Sequence, residues 1–319
     1  MQKPPPQPER KQPETDAYLK RLEWTVIRRL DGLLQGNYRT LFRGYGLDLA
    51  DLREYQYGDD VRHIDWNVTA RLQTPYVREF HEDREVSAWF LLDLSSSTDF
   101  GSRVKKQSVA TGFVAVLARV LTRHGNRVGA VMYGADVEQV IPAKSGRRHV
   151  LHLLHALQAR AAPAPHAGGT DLKVLLEGAY HALARRSLVF LVSDFISRPG
   201  WEKPLAQLAQ RHEIVAVRLF DPLENELPDV GMLVMQDAET GEQLFVDTHD
   251  RAFRKRFAEA AENREHALRV AFRDAGVDVL ELSTEDDLVD AIRRFAELRK
   301  RRSRLSGAAT AMPKHMEAL

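Results

Sequence analysis

The chain has no cysteine among its 319 residues. That removes thiolate catalysis, cysteine-ligated zinc and iron–sulfur centres, and disulfide frameworks, and makes a cytoplasmic setting the simplest expectation. An excess of charge of either sign is also missing: Lys+Arg 46 against Asp+Glu 45 leave a formal +1. This is too little to hold a phosphate backbone by counterion release, so nucleic acid is not an expected partner. Long apolar runs are absent. The longest uncharged stretch, Gln107 to Ala118, falls short of the roughly 20 residues a membrane span needs, and no apolar signal segment follows Met1. Neither GxGxxG nor GxxxxGK followed by Ser or Thr occurs, which argues against a phosphate-cradling nucleotide loop.

What is present reads as an α/β protein of about two domains, or one large domain with an appended segment. Residues 1–14 are Pro-rich and polar, the composition of a solvated tail. Residues 15–84 form an N-terminal extension. Leu19, Leu22, Val26, Leu30 and Leu33 recur at helical spacing after Thr15 or Asp16, and irregular, Gly-punctuated sequence from Asn37 to Gln56 suggests turns and short strands. From residue 85 to 300, strands and helices alternate. Strands are expected at Val86–Leu92, Arg127–Tyr133, Val137–Ile141, Ser187–Ser193, Glu213–Phe220 and Val277–Leu282. Helices are expected at Val104–His124, His149–Leu157, Asp171–Ala184, Trp201–Arg211, Arg251–Ala275 and Thr284–Lys300. This pattern predicts a Rossmann-like, mainly parallel sheet with helices on both faces, whose ligands gather at the carboxyl ends of the strands. Residues 301–319, basic and then Ala-rich, read as a disordered tail.

Chemistry concentrates at three strand ends. The run Val86–Leu92 leads into Asp93-Leu94-Ser95-Ser96-Ser97-Thr98, where a carboxylate and two hydroxyls at alternate positions can converge as hard oxygen donors of the kind Mg2+ prefers. Gly168-Gly169-Thr170-Asp171 presents a hydroxyl before a helix, and Ser193-Asp194 ends another strand. If Asp93 and Asp194 face each other, their like charges raise one pKa, and a divalent ion is the simplest way to neutralise both.

Asp93-x-Ser95-x-Ser97, with Thr170 and Asp194, resembles the metal-ion-dependent adhesion site of von Willebrand factor A domains. Upstream, Leu52-Arg53-Glu54-Tyr55-Gln56-Tyr57-Gly58-Asp59-Asp60-Val61-Arg62-His63-Ile64-Asp65-Trp66 resembles the signature of the bacterial family called domain of unknown function 58, and the likeness extends loosely from about Gly44 to Asp194. The resemblance implies a von Willebrand A fold that works with a MoxR-type AAA+ ATPase. In it, Asp93, Ser95, Ser97, Thr170 and Asp194 surround Mg2+, with Mn2+ or Ca2+ as alternatives, and an open position takes an acidic side chain of a protein partner. Two departures stand out: Thr98 occupies a position where Met is frequent, and the membrane helices many relatives carry before the signature are absent.

Blander readings compete. Asp93, Ser95 and Ser97 are also what a strand-to-helix cap prefers. Gly58, Asp59, Asp60, Arg62, Asp65 and Trp66 can form a turn, a capped short helix, an Arg–Asp pair and a core tryptophan rather than a partner contact. His149, His152 and His155 read as a solvated or half-buried helix face. The cluster Arg293, Arg294, Arg299, Lys300, Arg301, Arg302 and Arg304 reads as cations near a helix C-terminus. The enzymatic alternative is a Mg2+-dependent phosphatase or hydrolase with Asp93 as nucleophile. Against it, Ser95 stands where a second Asp would serve as general acid. A flavodoxin-like phosphate cradle at Ser95–Thr98 is the third reading, and Asp93 would repel the phosphate.

Overall fold

The computed structural model describes residues 51–56, 59, 61, 64–79, 87–160, 169–236 and 242–310. The expected tail at 1–14, the helix through Leu33, the signature residues Gly58, Asp60 and Arg62, and the loop at 161–168 with its Gly168 lie outside them.

Strand β3 (Ser87–Asp93) sits between two parallel neighbours, β4 (Arg127–Tyr133) and β6 (Leu188–Ser193). Its residues are apolar at consecutive positions because both faces are covered. Phe90 and Leu92 enter one core and Trp89 and Leu91 the other, as a period of two requires. On the first face, the Phe90 and Phe190 rings stack at 5.3 Å and Phe113 meets both edge-on. Helix α2 (Lys106–Arg123) covers that face with α3 (Arg147–Ala159) and α7 (Leu288–Thr310). Helices α4 (Leu172–Ala182), α5 (Glu202–Arg211) and α6 (Arg251–Ala275) cover the other.

The six-stranded sheet has the order β10 (Asp278–Ser283), β7 (Glu213–Phe220), β6, β3, β4, β5 (Val137–Lys144). All neighbours are parallel except the β4–β5 hairpin. From β3 the chain builds outward through β4 and β5, then crosses back to build through β6, β7 and β10. The direction of winding therefore reverses between β3 and β6, where a crevice opens at the carboxyl ends of such strands. Arg299 of α7 bonds Glu213 and lies 3.1 Å from Asp278, clamping the amino ends of β7 and β10.

The α/β architecture is the expected one, with four differences. A hairpin of β8 (Met232–Gln236) and β9 (Gln243–Asp247) was not anticipated; it exposes Met232, Val234, Leu244 and Phe245, so its apolar residues do not mark a core. The segment after Arg301, expected as a tail, continues α7 to Thr310; Arg, Leu and Ala favour helix despite the run of charge. A 3₁₀ turn, Ser96–Asp99, precedes α2, which starts at Lys106 rather than Val104. In the N-terminal extension, β1 (Asp51–Glu54) pairs antiparallel with β2 (Tyr76–Glu79) around α1 (Trp66–Leu72). Asp65 caps α1 as expected, accepting from Asn67 N and Val68 N, and Asp59 closes a turn by accepting from Gln56 N at 2.8 Å. The Tyr55 amide donates to the Pro75 carbonyl. Trp66 is not a core residue: it is 69% exposed, because α1 buries none of its residues. No helix among the described residues is long and apolar enough to cross a membrane.

His212, just after α5, is buried, and neither ring nitrogen has a hydrogen-bond partner. Burial, with Arg211 and Arg186 nearby, holds its pKa below the ordinary value. The unfolded chain then takes up a proton near pH ~6.5 that the folded chain refuses, so this part of the stability is complete above that pH and is lost as pH falls toward the folded pKa. Urea unfolding should show the wild type losing stability between about pH 6.5 and 5, by at most about 1.4 kcal/mol per pH unit from this group. His212→Leu should flatten that limb, and parallel limbs for the two proteins would rule the assignment out.

Candidate metal centre at the sheet switch point

The crevice between β3 and β6 is where the sequence-derived residues meet. Asp93 ends β3 and is 1% exposed. Its Oδ1 accepts from Ser95 N at 3.1 Å and its Oδ2 from Ser193 Oγ at 2.6 Å. Ser95 Oγ and Ser97 Oγ lie 3.1 Å apart, both buried, and Thr98 Oγ1 donates to the Ser95 carbonyl at 2.7 Å. The Thr98 hydroxyl therefore braces the turn that presents the two serines. Arg160 forks onto Glu138 and donates to the Leu94 carbonyl at 2.5 Å, holding the same turn from outside.

From β6, Asp194 is 3% exposed and its Oδ1 accepts from Ile196 N at 3.0 Å. Ser193 Oγ donates to Asp93 while accepting from Phe195 N at 2.8 Å, which fixes the spacing of the two strand ends. Phe195 adopts φ 58°, a left-handed conformation costly for an aromatic residue. Its ring is held by Trp201 at 5.6 Å and edge-on by Phe272 at 4.8 Å. Packing in the core covered by α4, α5 and α6 thus secures the turn that carries Asp194. The third loop is tied in through its backbone: the carbonyl of Thr170, which is buried, accepts from Ser197 Oγ at 3.1 Å and Arg198 N at 2.9 Å. The Asp171 amide donates to the Tyr133 hydroxyl at 2.9 Å, and burial raises the Tyr133 pKa.

Asp93, Ser95, Ser97 and Asp194 are therefore brought together, with Thr170 on an adjoining loop bonded to the Asp194 turn. Burial, and then the charge of Asp194, push the Asp93 pKa up to about 6 against the hydrogen bonds from Ser193 and Ser95. The signature residues Tyr55, Asp59 and Asp65 serve local structure in the N-terminal extension. His149 bonds the Val128 carbonyl at 2.7 Å while His152 and His155 are exposed, the solvated or half-buried face expected. Within the basic cluster, Arg293 and Arg294 pair with Asp290 and Asp286.

Lys106, which sequence reasoning missed, changes the electrostatics. It is fully buried at the start of α2, and its Nζ lies 2.6 Å from Asp194 Oδ2 and 2.7 Å from Glu224 Oε1, with the Phe100 ring 5.8 Å away. Burial alone would lower its pKa, but the two carboxylates outweigh it and raise the value. The facing carboxylates are thus partly neutralised by the chain itself, a contribution that the expectation of a divalent ion as the simplest neutraliser did not include. A signal was available: a lysine in the first turn of an apolar helix opposes the helix dipole and calls for a local anion. Glu224 is pinned in turn, its Oε2 accepting from Asp221 N at 3.1 Å. Asp221 Oδ2 gathers Ser102 N, Ser102 Oγ and Thr284 Oγ1 at 2.7–2.9 Å, cross-linking the loops after β3, β7 and β10. Burial opposes ionisation of Asp221, yet these bonds hold its pKa below the usual value.

The donors fit a hard divalent cation in type: carboxylates and hydroxyls at the ends of rigid strands. They also fit in charge. Asp93, Asp194 and Glu224 contribute three negative charges and Lys106 one positive, leaving −2 when all are ionised. Among the described residues no group of three or more His, Asp or Glu side chains is arranged to hold a metal, so any ion here depends on the serine and threonine hydroxyls.

A family model described as "Protein of unknown function DUF58" matches residues 51–267, more than half of the chain, and the chain belongs to that family. It is similar to the uncharacterized protein Rv1480 of Mycobacterium tuberculosis, 37% identical over 292 residues that span 91% of each chain. Solved structures with a similar fold include BatB from Bacteroides thetaiotaomicron, at 13% identity, TM-score 0.45, 68% of this chain and 99% of that one. The VWA domain of SpRpn10 is another, at 13% identity, TM-score 0.37, 66% of this chain and 94% of that one. The strand order and the antiparallel β5 edge give the mainly parallel, Rossmann-like α/β sheet that the sequence predicts.

The strained Phe195 turn gives a test of how the site is held. Phe195→Ala keeps the left-handed backbone and empties the ring's place, a loss expected to cost about 3–5 kcal/mol in urea unfolding. Phe195→Gly loses the same ring but adopts this φ freely, and should be the more stable of the two by roughly 1 kcal/mol. The reverse ranking would show that the turn relaxes away from φ 58° once the ring is gone.

Proposed function

We propose that this protein is a non-enzymatic, metal-dependent protein-binding module. In this reading Asp93, Ser95, Ser97, Thr170 and Asp194 hold Mg2+, and the ion's remaining position accepts a Glu or Asp side chain from a protein partner. When bound, the ion supplies a localised positive charge with a preference for hard oxygen, which selects an acid group. The chain's own residues do the rest: Ser193 orients Asp93, Thr98 braces the Ser95–Ser97 turn, and the Phe195 turn positions Asp194.

The observation that carries the proposal is the buried Asp93–Asp194 pair at the sheet switch point, with its surplus of negative charge beside paired serine hydroxyls. Two carboxylates held in this way are costly without an enclosed cation, and Lys106 satisfies only part of that demand. The signature resemblance supports a MoxR-type AAA+ ATPase as the partner, with the module as its adaptor in the cytoplasm.

The test is a pull-down from native lysate in the presence of Mg2+ or of a chelator, with wild type and Asp93→Ala as baits. Wild type with Mg2+ should retain an AAA+ ATPase. Chelation or Asp93→Ala should reduce capture at least about tenfold, the loss of one charge-assisted contact, while far-UV circular dichroism shows the variant folded. Capture that persists undiminished in chelator and in the folded variant would remove the metal from the mechanism.

A further inference from the structure

Among the four ionised side chains linked at the crevice, one has no capacity to ligate a cation. Lys106 Nζ touches Asp194 Oδ2 and Glu224 Oε1, is 1% exposed, and borders the Phe100 ring. An ammonium so placed does two opposed things. It repels an incoming cation and competes with it for Asp194, and it offsets a negative charge that would otherwise repel an incoming acid. Other charged groups nearby are already satisfied or turned elsewhere, the Asp221 carboxylate by donors from Ser102, Leu223 and Thr284. Arg160 is paired with Glu138 and Lys105 with Asp99, Asp171 caps α4, and Arg264 reaches the Glu224 carbonyl rather than its carboxylate.

We propose that Lys106 determines the specificity of the site: it weakens the binding of the divalent ion in order that the loaded site can accept a carboxylate. The inference rests on the metal-dependent reading above and assigns a role which that reading does not contain. The charge count shows why. Asp93, Asp194, Glu224 and Lys106 sum to −2; a divalent ion brings the site to neutrality, and a visiting carboxylate to −1. Without Lys106 the same states are −3, −1 and −2, so the ion is held more tightly while the acid meets a site that is already negative. In a buried setting, one unit charge at this range shifts binding by an order of magnitude or more. A lysine that merely propped the fold would, on removal, weaken both the ion and the acid.

The distinction is measurable on the full chain with Mn2+ as the ion and acetate as the acid. Free Mn2+ is read by electron paramagnetic resonance, and acetate at the bound ion by paramagnetic broadening of its NMR line. Lys106→Met should bind Mn2+ at least about tenfold more tightly and broaden acetate several-fold less per bound ion. Glu224→Gln retains Lys106 and an acceptor for the Asp221 amide but leaves the site at −1, so it should move both readouts the other way. It also supplies the test if Lys106→Met does not fold. The double variant Lys106→Met/Glu224→Gln returns the count to −2 and should bring both readouts back toward wild type. Weaker Mn2+ binding in folded Lys106→Met, unchanged acetate broadening, or a Glu224→Gln shift in the same direction as Lys106→Met would each overturn the role given to Lys106. Failure of the underlying reading looks different: wild type that binds no Mn2+, or Asp93→Ala that binds it undiminished, removes the ion itself.

Discussion

Two carboxylates at the ends of adjacent parallel strands, Asp93 on β3 and Asp194 just beyond β6, set the terms for the rest of the molecule. Their separation follows from the β3–β6 register, and Ser193 bonds one while neighbouring the other. Burying like charges side by side is unfavourable, so the surrounding structure is arranged to make it tolerable. The Ser193 hydroxyl and the Ser95 amide donate to Asp93, an ammonium meets Asp194, and Asp221 cross-links the loops that enclose them. The strained Phe195 conformation belongs to the same arrangement, held by rings whose own burial has nothing to do with charge.

Much of this was legible in the sequence wherever local pattern and burial agree. The boundaries of β4, β7 and α6 fall where they were expected, because apolar runs there stop at charged or Gly residues and each element buries what its pattern advertises. The DxSxS run, the GGTD turn and the VSD strand end could be placed on one edge from the alternation of strands and helices alone. What escaped depends on partners remote in the chain. Lys106 contacts carboxylates 88 and 118 residues away; its place in the first turn of α2 calls for an anion, but no local pattern says which residues supply it. The β8–β9 hairpin escaped for the opposite reason: Met232, Val234, Leu244 and Phe245 face outward while Val246 is buried, so most of its apolar residues do not follow the rule by which buried strands are recognised.

The N-terminal signature divides along similar lines. Tyr55, Asp59 and Asp65 have backbone or capping roles that their residue types suggest, and the short helix they introduce was readable from the cap. The fate of Trp66 was not. Whether a tryptophan at the first position of a helix is buried depends on what the helix packs against, and α1 buries none of its residues.

The family match stops at residue 267, inside α6, yet the sheet does not. Strand β10 and helix α7 come later, and they place Leu280, Leu282, Ile292 and Phe295 in the same interior as Phe90. A protein trimmed at the family boundary would leave β7 as a bare, ladder-competent rim open to pairing with other chains. It would also strand Glu213 without its guanidinium clamp. The sheet and its core therefore extend through β10 and α7, as far as the Arg299 clamp, well past the stretch by which the kinship is recognised.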